Sequence, residues 1–137
     1  MVETSVEAGQ EPPLVIVVDD QSDARKLTRL SLQFENYRVV EAVNGVDALE
    51  LIRRHHPDAV LLDILMPGPV DGYDVCRQIK SDARLKETAV ILVSAMRGDE
   101  QRELGRDCGA DAYLAKPFSF TELTEALETH LRPSARG

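Results

Sequence analysis

A chain of 137 residues, 43% hydrophobic and 29% charged, has the size and composition of one globular domain. Its 24 acidic residues outnumber 16 basic ones, and the net charge of −8 argues against direct binding to nucleic acid. No apolar stretch approaches the roughly 20 residues that a membrane-spanning helix needs, and the first five residues do not resemble a secretory signal. We therefore expect no membrane insertion and a cytoplasmic location.

The chain divides into three segments. Residues 1–12 are polar and acidic, which predicts a disordered lead-in. Residues 13–132 carry alternating strand and helix signals, and residues 133–137 form a short tail. Because no second domain is visible, we expect no output domain in the same chain.

Five short apolar runs alternate with helix-like segments, which predicts buried parallel strands joined by helices. The predicted strands are 14–18, 37–42, 59–62, 89–93 and 112–115, and the predicted helices are about 22–35, 45–55, 73–81, 99–108 and 120–131. Five such units predict a doubly wound, three-layer α/β sandwich with right-handed crossovers.

Capping residues and apolar stripes support the predicted helices. Asn44 can cap the second helix, Gly109 can end the fourth, and Ser119 with Glu122 forms a capping box for the fifth. Apolar residues recur at helical spacing on the first helix (Leu27, Leu30, Phe34) and are expected to face inward on the last (Phe120, Leu123, Leu127, Leu131).

Polar side chains follow four of the predicted strands. Asp19 and Asp20 come directly after the first strand, Asp63 after the third, Ser94 after the fourth and Lys116 after the fifth. In an open parallel sheet, ligands bind beyond the carboxyl ends of the strands. The sequence therefore predicts one site that holds three carboxylates, a hydroxyl and an amine.

The chemistry of such a site follows from its charges. Three converging carboxylates repel one another unless a cation compensates them, and oxygen ligands suit Mg²⁺. Asp63 could then act as a nucleophile that accepts a phosphoryl group. Lys116 and Ser94 could contact the phosphoryl oxygens.

The residues around this site resemble the receiver domains of two-component response regulators, particularly the single-domain type related to the chemotaxis regulator. The matching motifs are Val18-Asp19-Asp20, Leu62-Asp63-Ile64-Leu65-Met66-Pro67, Asp71-Gly72, Val93-Ser94-Ala95 and the segment 109–118. They occur in the family's order between residues 14 and 131. The resemblance implies a flavodoxin-like (βα)5 fold whose parallel sheet has the strand order 2-1-3-4-5.

The resemblance also implies how the acidic residues act. Asp63 would be the phosphoacceptor. Asp20 and Asp63 would bind Mg²⁺ directly, together with the backbone carbonyl of Leu65, while Asp19 would act through water. Mn²⁺ could substitute for Mg²⁺.

A switch is implied by the same resemblance. Ser94 stands where the family has its switch hydroxyl, and Tyr113 matches the switch aromatic residue. Lys116 would bind the phosphoryl oxygens, and the Lys116–Pro117 peptide bond is expected to be cis.

The implied function is a phosphorylation-dependent signalling switch in a two-component phosphorelay, and not a turnover enzyme. A histidine kinase, a phosphotransfer protein or a small phosphodonor would supply the phosphoryl group. The signal would pass by docking to a protein that the sequence does not identify. The chain would be a monomer or a weak dimer through the face of the fourth helix, fifth strand and fifth helix.

Two other classes of protein fit this fold. A scaffold that has lost phosphorylation is expected to lack one of the acids or the lysine, and Mg²⁺ binding would distinguish it. A phosphatase with an aspartate nucleophile needs a second acid two residues beyond the nucleophile. Leu65 stands there in this chain, and turnover on a phosphate ester would revive this alternative.

The loop after the third strand departs from the family pattern. Gly68-Pro69-Val70 separates Pro67 from Asp71 by one residue more than the family usually has. We expect the chemistry to survive, because the insertion is predicted to lie in a surface loop beside the site.

Two apolar residues bear on the lifetime of the phosphate. Leu65 and Met96 lie two residues beyond Asp63 and Ser94, at positions that flank the path of the hydrolytic water in this family. Their bulk predicts slow self-dephosphorylation.

We expect no functional role for the two cysteines or the three histidines. Cys76 and Cys108 lack the spacing of a metal site or a disulfide framework and are expected to be small buried residues. His55, His56 and His130 are expected to be surface or packing residues.

Overall fold

The computed structural model describes residues 11–95 and 98–131. Within them, five strands and five helices alternate along the chain. The strands are β1 (Leu14–Val18), β2 (Arg38–Ala42), β3 (Ala59–Asp63), β4 (Ala89–Ser94) and β5 (Ala112–Ala115), and the helices are α1 (Ser22–Phe34), α2 (Gly45–His55), α3 (Gly72–Ser81), α4 (Asp99–Asp107) and α5 (Phe120–His130). The predicted lead-in and tail fall almost entirely outside the described residues.

The five strands form one parallel sheet in the order β2-β1-β3-β4-β5. This is the order 2-1-3-4-5 that the resemblance to receiver domains implied, and the fold class is confirmed. The order reverses direction next to β1, since β2 lies on one side of it and β3 on the other. Ligands of doubly wound sheets bind at this kind of switch point.

Successive residues of a strand point to opposite faces of the sheet, so each strand contributes to two cores. On β1, Val15 and Val17 pack with Leu32 of α1 and with α5 residues. Ile16 and Val18 pack on the other face, with residues of α2 and α3. The sheet is therefore the middle layer of three, and its strands read as unbroken apolar runs because both faces are buried.

Local signals in the sequence fix the helix ends. The Asn44 side chain accepts a hydrogen bond from the Asp47 N–H, and Ser119 forms the predicted capping box with Glu122. Gly109 follows α4 with a φ of 93°, a left-handed conformation that glycine adopts without strain.

The apolar stripe on α1 does not face a core. Leu27, Leu30 and Phe34 are 67%, 55% and 87% exposed, while Leu32 is the buried residue of this helix. On α5 the inward expectation is wrong for Phe120, which is exposed at the first position of the helix. Helical spacing identifies a face, but the neighbouring elements decide whether that face is covered.

The loop with the extra residue packs against α2. An added Cβ at Gly45, the first residue of α2, would lie 2.3 Å from the Val70 carbonyl oxygen. An added Cβ at Gly72 would lie 2.7 Å from the Asp63 carbonyl oxygen. Both glycines are therefore required by close backbone approach on either side of this loop.

No helix among the described residues combines the length and apolar character that crossing a membrane requires.

Candidate functional site

The carboxyl ends of the strands bring the predicted polar residues to one edge of the sheet. Asp63 and Ser94 are the last residues of β3 and β4, and Asp19 and Lys116 directly follow β1 and β5. These positions are set by strand register, because β3 and β4 pair Asp63 with Val93, and β4 and β5 pair Ser94 with Ala115.

Three carboxylates cluster at this edge. Asp19, Asp20 and Asp63 each offer one carboxylate oxygen, and these atoms lie within 4.8 Å of one another. Asp19 and Asp63 are buried, whereas Asp20 is exposed. Hard oxygen ligands from three acids, with one side open to solvent, fit a divalent cation that keeps part of its hydration shell.

Lys116 bridges two of the acids. Its Nζ lies 3.1 Å from Asp63 Oδ2 and 3.4 Å from Asp19 Oδ2. The backbone N–H of Lys116 donates to the Ser94 carbonyl oxygen at 2.8 Å. The Lys116–Pro117 peptide bond is cis, as expected.

The surroundings of Asp63 and Lys116 shift the pKa values of both side chains. Burial raises the pKa of Asp63, and the repulsion of Asp19 adds to this, so that the opposing effects of Lys116 and the Leu65 N–H are outweighed. Burial alone would lower the pKa of Lys116, but its hydrogen bond to Asp63 and the two negative charges raise it. The lysine stays protonated, and the Asp63 carboxylate is a crowded, partly desolvated anion.

Backbone N–H groups fix the two buried carboxylates. The Gln21 N–H donates to Asp19 Oδ1 at 2.9 Å, and the Leu65 N–H donates to Asp63 Oδ1 at 3.1 Å. Each acid therefore has one oxygen held by the loop that follows its strand and the other directed toward Lys116. The proposed metal ligation by the Leu65 carbonyl stays a prediction.

Ser94 and Tyr113 lie on neighbouring strands. Ser94 is fully buried, and Tyr113 is half-buried on β5, opposite Leu92 of β4. The Arg102 guanidinium lies 5.2 Å from the centre of the Tyr113 ring, within the range of a cation–π contact. Their switch roles stay predictions.

An apolar groove opens below the acids, between α1 and α5. Its volume is about 600 Å³, and its floor includes Val17, Leu61 and Val93 on the α1–α5 face of the sheet. Leu27 of α1 and Phe120 of α5 line its walls. The groove explains why these two side chains are exposed.

The cysteines and histidines lie away from these acids. Cys76 and Cys108 are buried free thiols, and burial raises the pKa of Cys76. His55 and His56 are exposed at the end of α2, and His130 ends α5. Both cysteines are buried as expected, and the three histidines lie at helix ends.

Two residues of this region were missed by the sequence analysis. Arg25 of α1 donates from a terminal guanidinium nitrogen to the Asp19 carbonyl oxygen at 2.8 Å, and its Nε lies 2.7 Å from Glu41 Oε1 on β2. The only signal available was an arginine six residues after the first acid, which is too common to single out.

The chain belongs to the response regulator receiver domain family, whose sequence model matches residues 15–128. Members of this family are phosphoacceptors in two-component signalling, and they bind Mg²⁺ at their acidic site.

Comparison with known proteins agrees with this assignment. Response regulator MprA of Mycobacterium sp. (strain KMS) is 41% identical over 121 residues, which are 88% of this chain and 51% of that protein. The chain thus spans about half the length of the curated relatives it matches.

Solved structures show the same architecture. A candidate response regulator from Chloroflexus aurantiacus J-10-fl superposes with a TM-score of 0.83 at 31% identity, covering 88% of this chain and 98% of that one. The receiver domain of a sensor histidine kinase from Pseudomonas aeruginosa PAO1 has a TM-score of 0.80 at 28% identity, with coverages of 88% and 98%. That structure has a magnesium ion coordinated in its active site cleft.

Proposed function

We propose that this chain is a phosphorylation-controlled signalling switch that accepts a phosphoryl group on Asp63 in a Mg²⁺-dependent reaction. The observation that carries the proposal is the cluster of three carboxylates with Lys116 bridging Asp19 and Asp63. We place the switch in the cytoplasm, where ATP is available to histidine kinases.

Asp63 is suited to be the nucleophile. Burial and the neighbouring acid raise its pKa, so its carboxylate is less stabilised by solvent than an exposed one. One oxygen is held by the Leu65 N–H, while the other lies beside the Lys116 ammonium. When an Asp63 oxygen bonds to phosphorus, the phosphorus–nitrogen bond of the donor phosphohistidine breaks.

Asp20 and Asp63 would hold the magnesium ion directly, with Asp19 acting through water and the Leu65 carbonyl as a proposed further ligand. The ion would neutralise the charge that develops on the phosphoryl oxygens. Lys116, which contacts both Asp19 and Asp63, would add a second positive charge and offset the repulsion between Asp19 and the acyl phosphate. Mn²⁺ is a proposed substitute with the same preference for oxygen ligands.

The switch would operate through Ser94 and Tyr113. A phosphoryl group on Asp63 would draw the Ser94 hydroxyl toward it as a hydrogen-bond donor, and Tyr113 on the next strand would turn into the space released. The Arg102 contact with the Tyr113 ring links this movement to α4. We propose that partners read the resulting change on the α4–β5–α5 face, which is also our proposed site of weak dimerisation.

A phosphotransfer assay tests the proposal. The full chain is incubated with acetyl phosphate, with and without Mg²⁺, and the phosphoprotein is measured by intact mass. We expect labelling of the wild type only with Mg²⁺, and loss of labelling in Asp63→Asn. Asp58→Asn is the matched control, because Asp58 lies at the opposite edge of the sheet, where it accepts a hydrogen bond from Leu14.

Labelling of Asp63→Asn at the wild-type level would exclude the assigned acceptor. Wild-type protein that neither binds Mg²⁺ nor takes up phosphate would favour a scaffold that has lost phosphorylation. Identifying the kinase requires a phosphotransfer profile against candidate histidine kinases.

A further inference from the structure

Arg25 connects three elements just behind the acidic cluster. It lies in the first half of α1, and its side chain is 14% exposed. A terminal guanidinium nitrogen donates to the Asp19 carbonyl oxygen at 2.8 Å, and Nε donates to Glu41 Oε1 at 2.7 Å. One side chain thus ties α1 to the end of β1 and to β2.

The carbonyl that Arg25 holds belongs to the peptide unit between Asp19 and Asp20. A peptide unit is planar, so the Asp19 carbonyl, the Asp20 nitrogen and the Asp20 Cα move together. The Asp19 N–H is already fixed by a hydrogen bond to the Ala42 carbonyl oxygen at 3.2 Å. The bond from Arg25 then sets the orientation of the next plane and with it the direction in which Asp20 leaves the strand.

Asp20 needs this support more than the other two acids. Asp19 and Asp63 are buried and accept hydrogen bonds from backbone N–H groups and from Lys116. Asp20 is exposed, and in the described part of the chain no group holds its carboxylate. Its position therefore depends on the backbone that carries it.

Glu41 makes Arg25 a rigid support. Its carboxylate is paired with both Arg25 and Arg29, and these contacts lower its pKa against the opposing effect of burial. The anion offsets part of the charge of the two guanidiniums that it pairs with, which weakens the repulsion between Arg25 and a cation bound to the acids. Its fixed fork geometry allows simultaneous bonds to a carboxylate and a carbonyl, which a lysine ammonium could not reproduce in the same orientation.

We propose that Arg25 is a positioning residue that, through the Asp19 carbonyl, holds Asp20 in the orientation needed to bind Mg²⁺. This inference rests on the proposed function and assigns a role to a residue outside the acidic cluster. Groups that orient metal ligands from behind typically contribute a factor of about 10 to 100 in metal affinity.

Arg29 offers a matched control. It lies one turn after Arg25 on α1 and pairs with the same Glu41 carboxylate, but the structure gives it no contact with the Asp19 carbonyl. Arg25→Gln and Arg29→Gln therefore each remove one positive charge and one ion pair with Glu41. Only the first also releases the peptide plane that carries Asp20.

The test is a calorimetric titration of the full chain with MgCl₂, without any phosphodonor. We expect Arg25→Gln to raise the Kd for Mg²⁺ by about tenfold and Arg29→Gln to raise it by less than about twofold. Thermal unfolding without Mg²⁺ should show that both variants fold, with a somewhat lower midpoint for Arg25→Gln, which also loses the hydrogen bond to the Asp19 carbonyl. If the two variants bind Mg²⁺ equally well, the positioning role is wrong.

A second variant keeps the test decisive if Arg25→Gln does not fold. Arg25→Lys retains the charge but can satisfy only one of the two acceptors well. We therefore expect its Kd for Mg²⁺ to lie between the Kd of wild type and the tenfold higher Kd of Arg25→Gln. Wild-type affinity in Arg25→Lys would overturn the inference. Wild-type protein that binds no Mg²⁺ would instead overturn the proposed function, so the two failures are distinguishable.

Phosphorylation gives an independent reading. At Mg²⁺ concentrations well above the weakened Kd, labelling of Arg25→Gln by acetyl phosphate should return to within about threefold of wild type, because the missing interaction acts through metal occupancy. A labelling rate that stays low although Mg²⁺ saturates the protein would place Arg25 in the chemical step and contradict a purely positioning role.

Discussion

Carboxylates have opposite effects at the two ends of the strands. We call the edge of the sheet where the strands begin the amino edge and the edge where they end the carboxyl edge. At the amino edge, Asp58 accepts a hydrogen bond from the Leu14 N–H, and Asp111 accepts one from the Val90 N–H, each at 2.8 Å. Asp111 also pairs with Lys80 at 2.8 Å. At the carboxyl edge, Asp63 lies beside Asp19 and Asp20, and burial raises its pKa. At the amino edge each acid has its own hydrogen-bond donors, whereas at the carboxyl edge Asp19 and Asp63 share Lys116 and a third acid, Asp20, lies beside them.

This difference separates stability from function within one fold. A carboxylate that accepts a backbone N–H and a lysine bond, with no second acid beside it, stabilises folding. A buried carboxylate beside another acid works against folding and gains from a bound ion or from a phosphoryl group that is itself held by cations. Strain of this kind is common at functional sites.

The largest effect expected from this comparison is at the amino edge. Asp111→Ala would leave the Val90 N–H and the Lys80 ammonium without their shared acceptor and should lower the free energy of unfolding by about 1–3 kcal/mol. Urea unfolding of the full chain measures this effect. The Kd for Mg²⁺ should stay within about twofold of wild type, since Asp111 is remote from the carboxyl edge.

Glu103→Ala is the control for Asp111→Ala, because Glu103 is exposed on α4. Its effect on unfolding should be within about 0.5 kcal/mol. If Asp111→Ala unfolds like this control, or if it also loses Mg²⁺ affinity, the two edges are not independent in the way their contacts indicate.

At the carboxyl edge, removing a carboxylate is expected to raise the stability of the folded state, by less than the loss at the amino edge. The pKa of Asp63 is raised above its ordinary value of 3.8, so the folded state binds the proton more tightly than the unfolded state. Ionisation of Asp63 therefore weakens folding as the pH rises through the folded pKa. Without Mg²⁺ at pH 7, Asp63→Asn should raise the unfolding midpoint by about 2–4 °C, and the gain should shrink toward zero below the ordinary pKa.

The same substitution at the amino edge is the matched comparison. Asp111→Asn keeps an oxygen for the Val90 N–H but loses the charge that pairs with Lys80, so it should lower the unfolding midpoint at pH 7. Saturating Mg²⁺ should stabilise wild type, and reduce the advantage of Asp63→Asn, because ligands that bind only the folded state raise its stability. A lower midpoint for Asp63→Asn at pH 7 without metal would contradict the proposed conflict among the acids.

The residues of the acidic site could be predicted from the sequence more fully than the helix faces and supporting contacts around it. The convergence of Asp63 and Lys116 could be predicted, because a parallel sheet places the carboxyl ends of its strands on one edge. The strand order came from the resemblance to receiver domains. The exposure of Leu27 could not, because periodicity shows which residues share a face and not whether α5 covers that face. Arg25 was missed because it acts on a backbone carbonyl, which no side-chain motif displays.

The smallest expected effect concerns the lifetime of the phosphate. Leu65 is exposed directly beside Asp63, to which its N–H is bonded, and its apolar side chain offers no hydrogen bond to an incoming water. Met96, the second residue expected to flank the path of the hydrolytic water, lies outside the described residues. Leu65→Gln should shorten the lifetime by about threefold, the effect of one modest hydrogen bond to the attacking water.

Decay of the phosphoprotein after removal of acetyl phosphate measures this lifetime. Leu104→Gln, at an exposed apolar position on α4, is the control for a general effect of added polarity. If Leu65→Gln and the double variant with Met96→Gln both decay like wild type, access of water is not limited by these side chains. The lifetime would then be set by the carboxyl-edge charges themselves, which Lys116 and the metal control.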